Sequence, residues 1–150
     1  MPKKILVAID LSQPDTIGPV LAAGVEQARI SDGDLTVMTV VPDIVAGLDW
    51  RYAIRGETGG SQDFDMRAVV NEALEKLNAV VAEHVPQGMA VETIVRHGTV
   101  YQQVLDVADE IAAGQIVVGA LRPQLSDYLL GPNTASIVRH AKCSVTVVRA

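Results

Sequence analysis

Two hydrophobic periods alternate along the chain, one typical of buried strands and the other of amphipathic helices. Five short β-branched segments predict strands: Lys3–Asp10, Leu35–Val41, Met89–Arg96, Gln115–Gly119 and Ser144–Arg149. The first two and the fourth are almost continuously apolar, which predicts strands that are covered on both faces, as in a parallel sheet. Met89–Arg96 alternates apolar and polar residues, which predicts an edge strand with one wetter face.

The segments between these strands repeat their apolar residues every three or four positions, which predicts helices. The predicted helices are Thr16–Ile30, Asp63–His84, Val100–Ala113 and Gly131–Ala141. Regular alternation of strands and helices requires parallel strands joined by right-handed crossovers. The sequence therefore predicts an α/β fold, a single-domain open five-stranded parallel sheet with helices on both faces, over residues 1–150.

Two predicted loops interrupt this alternation, Pro42–Gln62 and Ala120–Leu130. The first is long for a compact domain, and loops of about twenty residues often serve as lids or binding loops. It contains the only tryptophan, Trp50, beside Arg51 and Tyr52. These aromatic residues either cover a ligand or partner, or simply pack locally.

Composition narrows the function. The chain has 150 residues, of which 49% are hydrophobic and 20% charged, as expected for one globular domain. Its net charge of −6 argues against general binding to nucleic acid or to anionic membranes, both of which need basic surfaces. No apolar run approaches the ~20 residues of a membrane span, so we predict a cytoplasmic protein.

A single cysteine, Cys143, excludes an intramolecular disulfide, and one thiol makes no zinc site. We interpret it as a small hydrophobic residue beside the last strand. We predict no catalytic residue and no metal site made by protein side chains alone.

The chemistry is expected where the parallel strands end. Ligands of open α/β sheets bind at the carboxyl ends of strands, near the point where the strand order reverses. The residues at these ends are Asp10, Ser12, Val41, Pro42, His97, Gly98 and Gly119. We predict a ligand role for all of these except His97, which we interpret as an exposed loop residue. An alternative for Asp10 is that it caps the first helix.

The segment from Gly119 to Thr134 carries the most information. A glycine ends a strand, a loop follows, and Gly131 opens a helix whose first amides and positive end suit a phosphate. Arg122 offers a bidentate phosphate contact, and Asn133 and Thr134 offer side-chain donors. The simpler alternative is that both glycines only make turns and that Asn133 or Thr134 only caps the helix.

These motifs together resemble the universal stress protein family over nearly the whole chain. The matching segments are Lys4–Ser12 (KILVAIDLS), Val40–Pro42 (VVP), His97–Thr99 (HGT) and Gly131–Arg149 (GPNTASIVRHAKCSVTVVR). The run from Arg122-Pro123 to Gly131 is similar to the F/G-type branch of small single-domain members.

The resemblance implies a sheet in the order 3-2-1-4-5, of the adenine nucleotide alpha hydrolase-like type, and a homodimer through the last strand, residues 144–149. It also implies ATP binding through a Gly-x2-Gly-x9-Gly-Ser/Thr motif. Asp10 would then lie at the ribose or the phosphate-bound metal, and the backbone of Val41 at the adenine edge.

The chain departs from that motif in three ways. Gly119 and Gly131 match its first and last glycines, but Arg122 stands at the second, and the spacing is one residue short. Pro132 replaces the Ser/Thr and removes both a hydroxyl and a backbone N–H. We expect the phosphate contacts to be rerouted through Arg122, Asn133 and Thr134.

Our leading hypothesis is a cytoplasmic, homodimeric stress-response regulator that binds ATP, ADP or AMP, with Mg²⁺ near Asp10. One alternative is an interaction module that has lost nucleotide binding. Another is a slow ATPase or a self-phosphorylating protein, with Ser12, Ser126 or Thr134 as acceptor. A phosphorelay receiver and a Rossmann dehydrogenase are disfavoured, because the third strand lacks a terminal Asp and no G-x-G-x-x-G follows the first.

Overall fold

Strands and helices alternate from one end of the chain to the other. The computed structural model describes residues 3–42, 66–120 and 131–149. Its elements are β1 (Lys4–Ala8), α1 (Pro14–Ser31), β2 (Asp34–Pro42), α2 (Met66–His84), β3 (Val91–Gly98), α3 (Val100–Glu110), β4 (Gln115–Gly119), α4 (Pro132–His140) and β5 (Ser144–Val148). This succession confirms the α/β class predicted from the two hydrophobic periods.

The strands form one five-stranded parallel sheet in the order β3-β2-β1-β4-β5. This is the order that the family resemblance implied, and β3 is an edge strand, as its alternating pattern predicted. Central β1 pairs on both sides, so that Ile5 lies opposite Leu35 of β2 and Gln115 of β4. The strand order reverses between β1 and β4, where a ligand cleft is expected.

Side chains of β1 point alternately to two separate cores, one on each face of the sheet. Ile5 and Val7 pack in the core that α1 and α2 cover. Leu6 packs in the core on the other face, with Val104 of α3 and Ile137 of α4. All three β1 side chains are fully buried, which explains why the strand reads as a continuous apolar run.

Several element ends differ from the sequence prediction by one to three residues, and the ends of β3 and α3 show why. β3 continues two residues beyond the predicted end at Arg96, because its pairing with β2 extends to Pro42 and Gly98. α3 ends at Glu110, where a helix to Ala113 was predicted. Ala112 adopts a left-handed φ of 54°, and the amide of Ala113 turns back to the carbonyl of Ala108 at 2.8 Å, which closes the helix.

Both predicted loops fall largely outside the described residues. Trp50, Arg51, Tyr52, Arg122 and Ser126 lie in these segments, so the predictions made for them stay predictions. Among the helices in the described ranges, none combines the length and the apolar character that crossing a membrane requires.

Candidate functional site

A cleft opens at the carboxyl end of the sheet, where the strand order reverses. The ends of β1, β2 and β4 form its floor, and the first turns of α1, α3 and α4 form its walls. Its volume is about 330 Å³. Ligand sites usually occupy clefts of roughly 300–1,000 Å³, so the cleft has room for a small ligand.

Most of the predicted site residues lie together in this cleft. Its lining includes Asp10, Ser12, Pro42, Gly119, Gly131, Asn133 and Thr134. The side chain of Val41 is instead buried in the α1/α2 core and 1% exposed. Its backbone nevertheless lies between two lining residues, Val40 and Pro42, which is where the resemblance places an adenine contact.

Gly98 ends β3 but does not line the cleft. Its φ is 141°, which few residues other than glycine adopt. A Cβ at this position would approach Nε2 of Gln103 to 3.0 Å. Glycine is therefore needed here by the turn from β3 into α3, whatever its relation to a ligand.

Asp10 holds the turn that follows β1. Its Oδ1 accepts hydrogen bonds from the Ser12 amide at 2.9 Å and from the Ser12 hydroxyl at 2.5 Å. Oδ2 makes no hydrogen bond to the described residues, and the side chain is exposed. The helix-capping alternative is not observed, because α1 begins at Pro14 with Gln13 as its N-cap residue.

Thr134 ties the start of α4 to the end of β4. Its hydroxyl donates to the carbonyl of Gly119 at 2.9 Å, across 15 positions of sequence. Gly119 itself packs closely beneath α1, since a Cβ there would lie 3.2 Å from Cγ2 of Val20. A hydrogen bond thus joins two of the predicted site residues, Thr134 and Gly119. This bond uses the hydroxyl proton of Thr134 within the protein.

The first turn of α4 presents backbone amides to the cleft. Gly131 is the extended N-cap residue, and Pro132 is the first helical residue. The first intrahelical hydrogen bond runs from the Ala135 amide to the Gly131 carbonyl at 2.9 Å. The amides of Asn133 and Thr134 precede it, so they have no partner within the helix and lie at its positive end.

Asn133 also connects this turn to the neighbouring helix. Its Oδ1 accepts a hydrogen bond from the backbone amide of Tyr101, in the first turn of α3, at 3.1 Å. The starts of α3 and α4 are thereby held side by side at the rim of the cleft. Neither helix carries an acidic residue in its first turn.

Sequence reasoning missed several lining residues. They are Ala8, Ile9, Gln13, Thr16, Val20, Thr39, Val40, Val100, Val104, Val118, Ala120, Pro132 and Ile137. Thr39 was detectable as a hydroxyl within a buried strand: it is 1% exposed and donates to the Ile9 carbonyl at 2.9 Å. Val100 and Val104 were detectable as an i,i+4 pair at the start of a helix that follows a strand end.

The cleft is poor in charge. Within the part of the chain that the structure describes, Asp10 is its one charged lining residue, and no Lys, Arg or His lines it. The described ranges also contain no group of three or more His, Cys, Asp or Glu side chains suited to a metal ion. An anion beside the first turn of α4 would therefore meet N–H donors and the positive end of that helix, whereas the carboxylate of Asp10 would repel it at the end of β1.

A second cavity, of about 270 Å³, lies at the opposite end of α3 and α4. Asp109, His140, Lys142 and Cys143 contribute to its lining. Burial raises the pKa of the Cys143 thiol above its ordinary value of 9.0, and the carboxylate of Asp109 raises it further. Cys143 is half-buried and packs against the α3/α4 core, in keeping with the prediction of a small hydrophobic residue.

The sequence and the fold of this chain are similar to those of known proteins. The family model described as the universal stress protein family matches residues 1–149. A curated relative, universal stress protein G of Shigella flexneri, is 37% identical over 79 residues, which are 53% of this chain and 56% of that protein. The match thus spans about half the length of this relative.

Solved structures resemble the whole chain. The universal stress protein from Archaeoglobus fulgidus superposes with a TM-score of 0.71 at 23% identity, covering 99% of both chains. A structure of the universal stress protein from Archaeoglobus fulgidus in complex with dAMP superposes with a TM-score of 0.64 at 22% identity, covering 97% of both chains. These likenesses confirm the fold that the sequence predicted.

Proposed function

Because this chain belongs to the universal stress protein family, we propose that it is a stress-response regulator that binds an adenine nucleotide in the cleft at the carboxyl end of its sheet. The observation that carries the proposal is that Asp10 and the first turn of α4 line the same cleft. A structural relative solved in complex with dAMP supports an adenine nucleotide as the ligand.

The lining suits the three parts of such a ligand. Val40, Pro42, Val100 and Val104 provide an apolar slot for a base. Asp10 retains Oδ2 as an acceptor for a ribose hydroxyl, since both bonds from Ser12 go to Oδ1. The first-turn amides of α4 suit a phosphate.

The ligand is proposed to be ATP, ADP or AMP, with Mg²⁺ accompanying the polyphosphates. Mg²⁺ usually binds through one or two carboxylates together with substrate phosphates. Asp10 would supply one carboxylate, and within the described residues the cleft lining offers no second one. Most of the Mg²⁺ coordination would then come from phosphate and water.

We further propose that residues 1–150 form one domain and act as a cytoplasmic homodimer through β5. β5 pairs only with β4, so its outer edge is open within the described sheet. Val145 and Val147 on this strand are only half-buried. An unpaired edge of this kind favours pairing with a second copy. Sedimentation equilibrium tests the dimer, and a monomer mass at all concentrations would contradict it.

Titration calorimetry with the full chain tests the nucleotide proposal. AMP, ADP and ATP are titrated with and without Mg²⁺, and GMP serves as the control for the base slot. We expect binding of at least one adenine nucleotide and weaker binding of GMP. No binding of any adenine nucleotide at about 1 mM, which corresponds to roughly 4 kcal/mol of binding free energy, would refute the proposal.

A further inference from the structure

Gln115 is a buried polar residue at the start of β4, opposite Ile5 of the central strand. Its side chain is 6% exposed, and the described residues contain only two other buried polar side chains, Thr36 and Thr39. Burial of an amide costs free energy unless the amide is hydrogen-bonded, and an apolar side chain would avoid this cost. Nε2 of Gln115 donates to Oγ1 of Thr146 on β5 at 2.7 Å. The last two strands are therefore joined by a polar side-chain pair.

The Thr146 hydroxyl has a proton left to donate. It accepts the bond from Gln115, and a hydroxyl can donate one hydrogen bond while it accepts another. Within the described residues, no acceptor for this proton is found. The side chain is half-buried on β5, whose outer edge is open in the described sheet. The proton is thus available to a group on a second chain that pairs with this edge.

Thr146 is also the central residue of β5, which runs over five residues from Ser144 to Val148. Two copies paired through this strand would be related by a two-fold axis. Facing side chains must lie on the same side of the sheet, so the allowed registers differ by shifts of two residues. An axis through Thr146 pairs the whole strand, whereas the next register leaves two residues of each strand unpaired.

We infer that Gln115 and Thr146 set the register of the proposed homodimer: Thr146, held by Gln115, forms a hydrogen bond with Thr146 of the second copy across the two-fold axis. Facing threonines on antiparallel strands form such bonds. The inference rests on the proposed dimer through β5 and adds the residues that determine how its copies pair. Val145 and Val147 would contact each other across the interface, and apolar contacts of this kind specify register weakly.

Disulfide cross-linking tests the register while Thr146 is intact. Val145→Cys and Val147→Cys are made in a Cys143→Ser background and oxidised separately and as an equilibrated mixture. In the inferred register Val145 faces Val147 of the second copy, about 4.5–5.5 Å away between Cβ atoms, and each residue lies diagonally, roughly 7–8 Å, from its own counterpart. We expect the mixture to form covalent dimers at least about tenfold faster than either variant alone, because the diagonal separation is too long for a disulfide.

Sedimentation equilibrium of the full chain tests the contribution of the hydroxyl. Thr146→Val keeps the branched shape and leaves Nε2 of Gln115 without its acceptor when the interface closes. We expect the dimer dissociation constant to rise at least about fivefold. Thr146→Ser restores the hydroxyl and should stay within about twofold of the unchanged protein. The matched control is Thr93→Val on the opposite edge strand, which removes a hydroxyl bonded to Asn78 at 2.8 Å and should not alter dimerisation.

The outcomes separate this inference from the proposed function. A monomer at all concentrations refutes the proposed dimer, and this inference fails with it, whereas nucleotide binding is measured independently. If the protein dimerises but Val145→Cys or Val147→Cys alone cross-links as fast as the mixture, only the register is refuted. Equal dissociation constants for the unchanged protein and Thr146→Val would also refute the inference, because the bond from Gln115 would then serve the single chain alone.

Discussion

The two ends of the α3/α4 layer hold cavities of similar size and opposite character. The cleft at the helix starts measures about 330 Å³, and the cavity at the helix ends about 270 Å³. At the helix ends, where partial negative charge accumulates, Lys142 lines the cavity next to α4, whereas α3 has no basic residue in its last turn and contributes Asp109 to the lining. At the helix starts, neither α3 nor α4 carries an acidic first-turn residue.

The difference shows that cavity size alone does not identify a binding site. Basic residues compensate the negative end of α4 only, whereas the positive starts of both α3 and α4 carry no acidic residue in their first turns. Open space beside uncompensated N–H groups favours an anionic ligand, whereas space beside helix carbonyl groups and the carboxylate of Asp109 disfavours one. The following predictions test whether the two cavities differ in this way.

The largest effect on nucleotide affinity is expected from filling the cleft at the helix starts. Among the residues that the structure describes, only Val20 lies within 4 Å of a Cβ built at Gly119, so the side chain of Gly119→Leu should extend into the cleft. We expect calorimetry to show adenine-nucleotide affinity reduced by about 100-fold or more, equivalent to roughly 2.8 kcal/mol. Overpacking against Val20 should lower the free energy of unfolding by about 1–3 kcal/mol.

Ala113→Leu fills the other cavity and is the matched control for this experiment. Its effect on stability should be similar, because it overpacks the same kind of core. Its nucleotide affinity should equal that of the unchanged protein. Equal losses of affinity in both variants would mean that the two cavities do not differ as described.

The next effect concerns the two carboxylates, one in each cavity. Asp10→Ala removes the proposed ribose acceptor and should lower nucleotide affinity by about 10- to 150-fold, because hydrogen bonds to charged groups contribute roughly 1.5–3 kcal/mol. Asp109→Ala should leave affinity unchanged. It should alter stability by no more than about 0.5 kcal/mol, since its 3.8 Å pair with Lys142 is exposed. The same affinity in both variants would exclude Asp10 from the site.

A smaller effect is expected from removing the Thr134 hydroxyl, and it tests whether this group stabilises the fold or binds the ligand. Thr134→Val leaves the Gly119 carbonyl without its partner and should lower the free energy of unfolding by about 1 kcal/mol, measured by urea denaturation. Nucleotide affinity should change by less than about threefold, or 0.7 kcal/mol. A large loss of affinity at unchanged stability would show that the hydroxyl serves the ligand instead.

The smallest effect is the pH dependence at Cys143 in the second cavity. Its folded pKa is raised above 9.0, chiefly by burial, so the folded protein holds the thiol proton more tightly than the unfolded chain. The resulting stability is fully present below pH 9.0 and is lost as pH rises through the folded pKa. Unfolding measured from neutral to alkaline pH should therefore show a steeper decline for the unchanged protein than for Cys143→Ser. Parallel curves would contradict this.

Much of the candidate site was predictable from the sequence because its residues stand at recognisable local boundaries. Asp10 follows an apolar strand, Gly119 ends another, and Gly131 with Pro132 opens a helix. In a parallel sheet such boundaries share one edge, so local patterns were enough to bring these residues together. The family resemblance added the strand order, which periodicity alone does not specify.

The roles of individual polar groups were not predictable in the same way. From the sequence, Thr134 and Asn133 fit the role of phosphate donor and the role of helix cap equally well. The structure directs the Thr134 hydroxyl to Gly119 and the Asn133 carbonyl to Tyr101, a residue 32 positions away. Gly98 was likewise predicted to contact the ligand. Its positive φ and its close approach to Gln103 show that the turn from β3 into α3 itself requires glycine.

The sequence by itself determined the types and order of the elements, the two-sided burial of the central strands and the chemical identity of the residues at their carboxyl ends. These properties follow from local periodicity, since side-chain spacing along one segment decides which face is apolar. Only the tertiary structure decided which donors were already engaged and which cavity lay at the uncompensated helix starts. Hydrogen-bond partners from distant segments meet only when the sheet and both helix layers are assembled, so no local pattern records them.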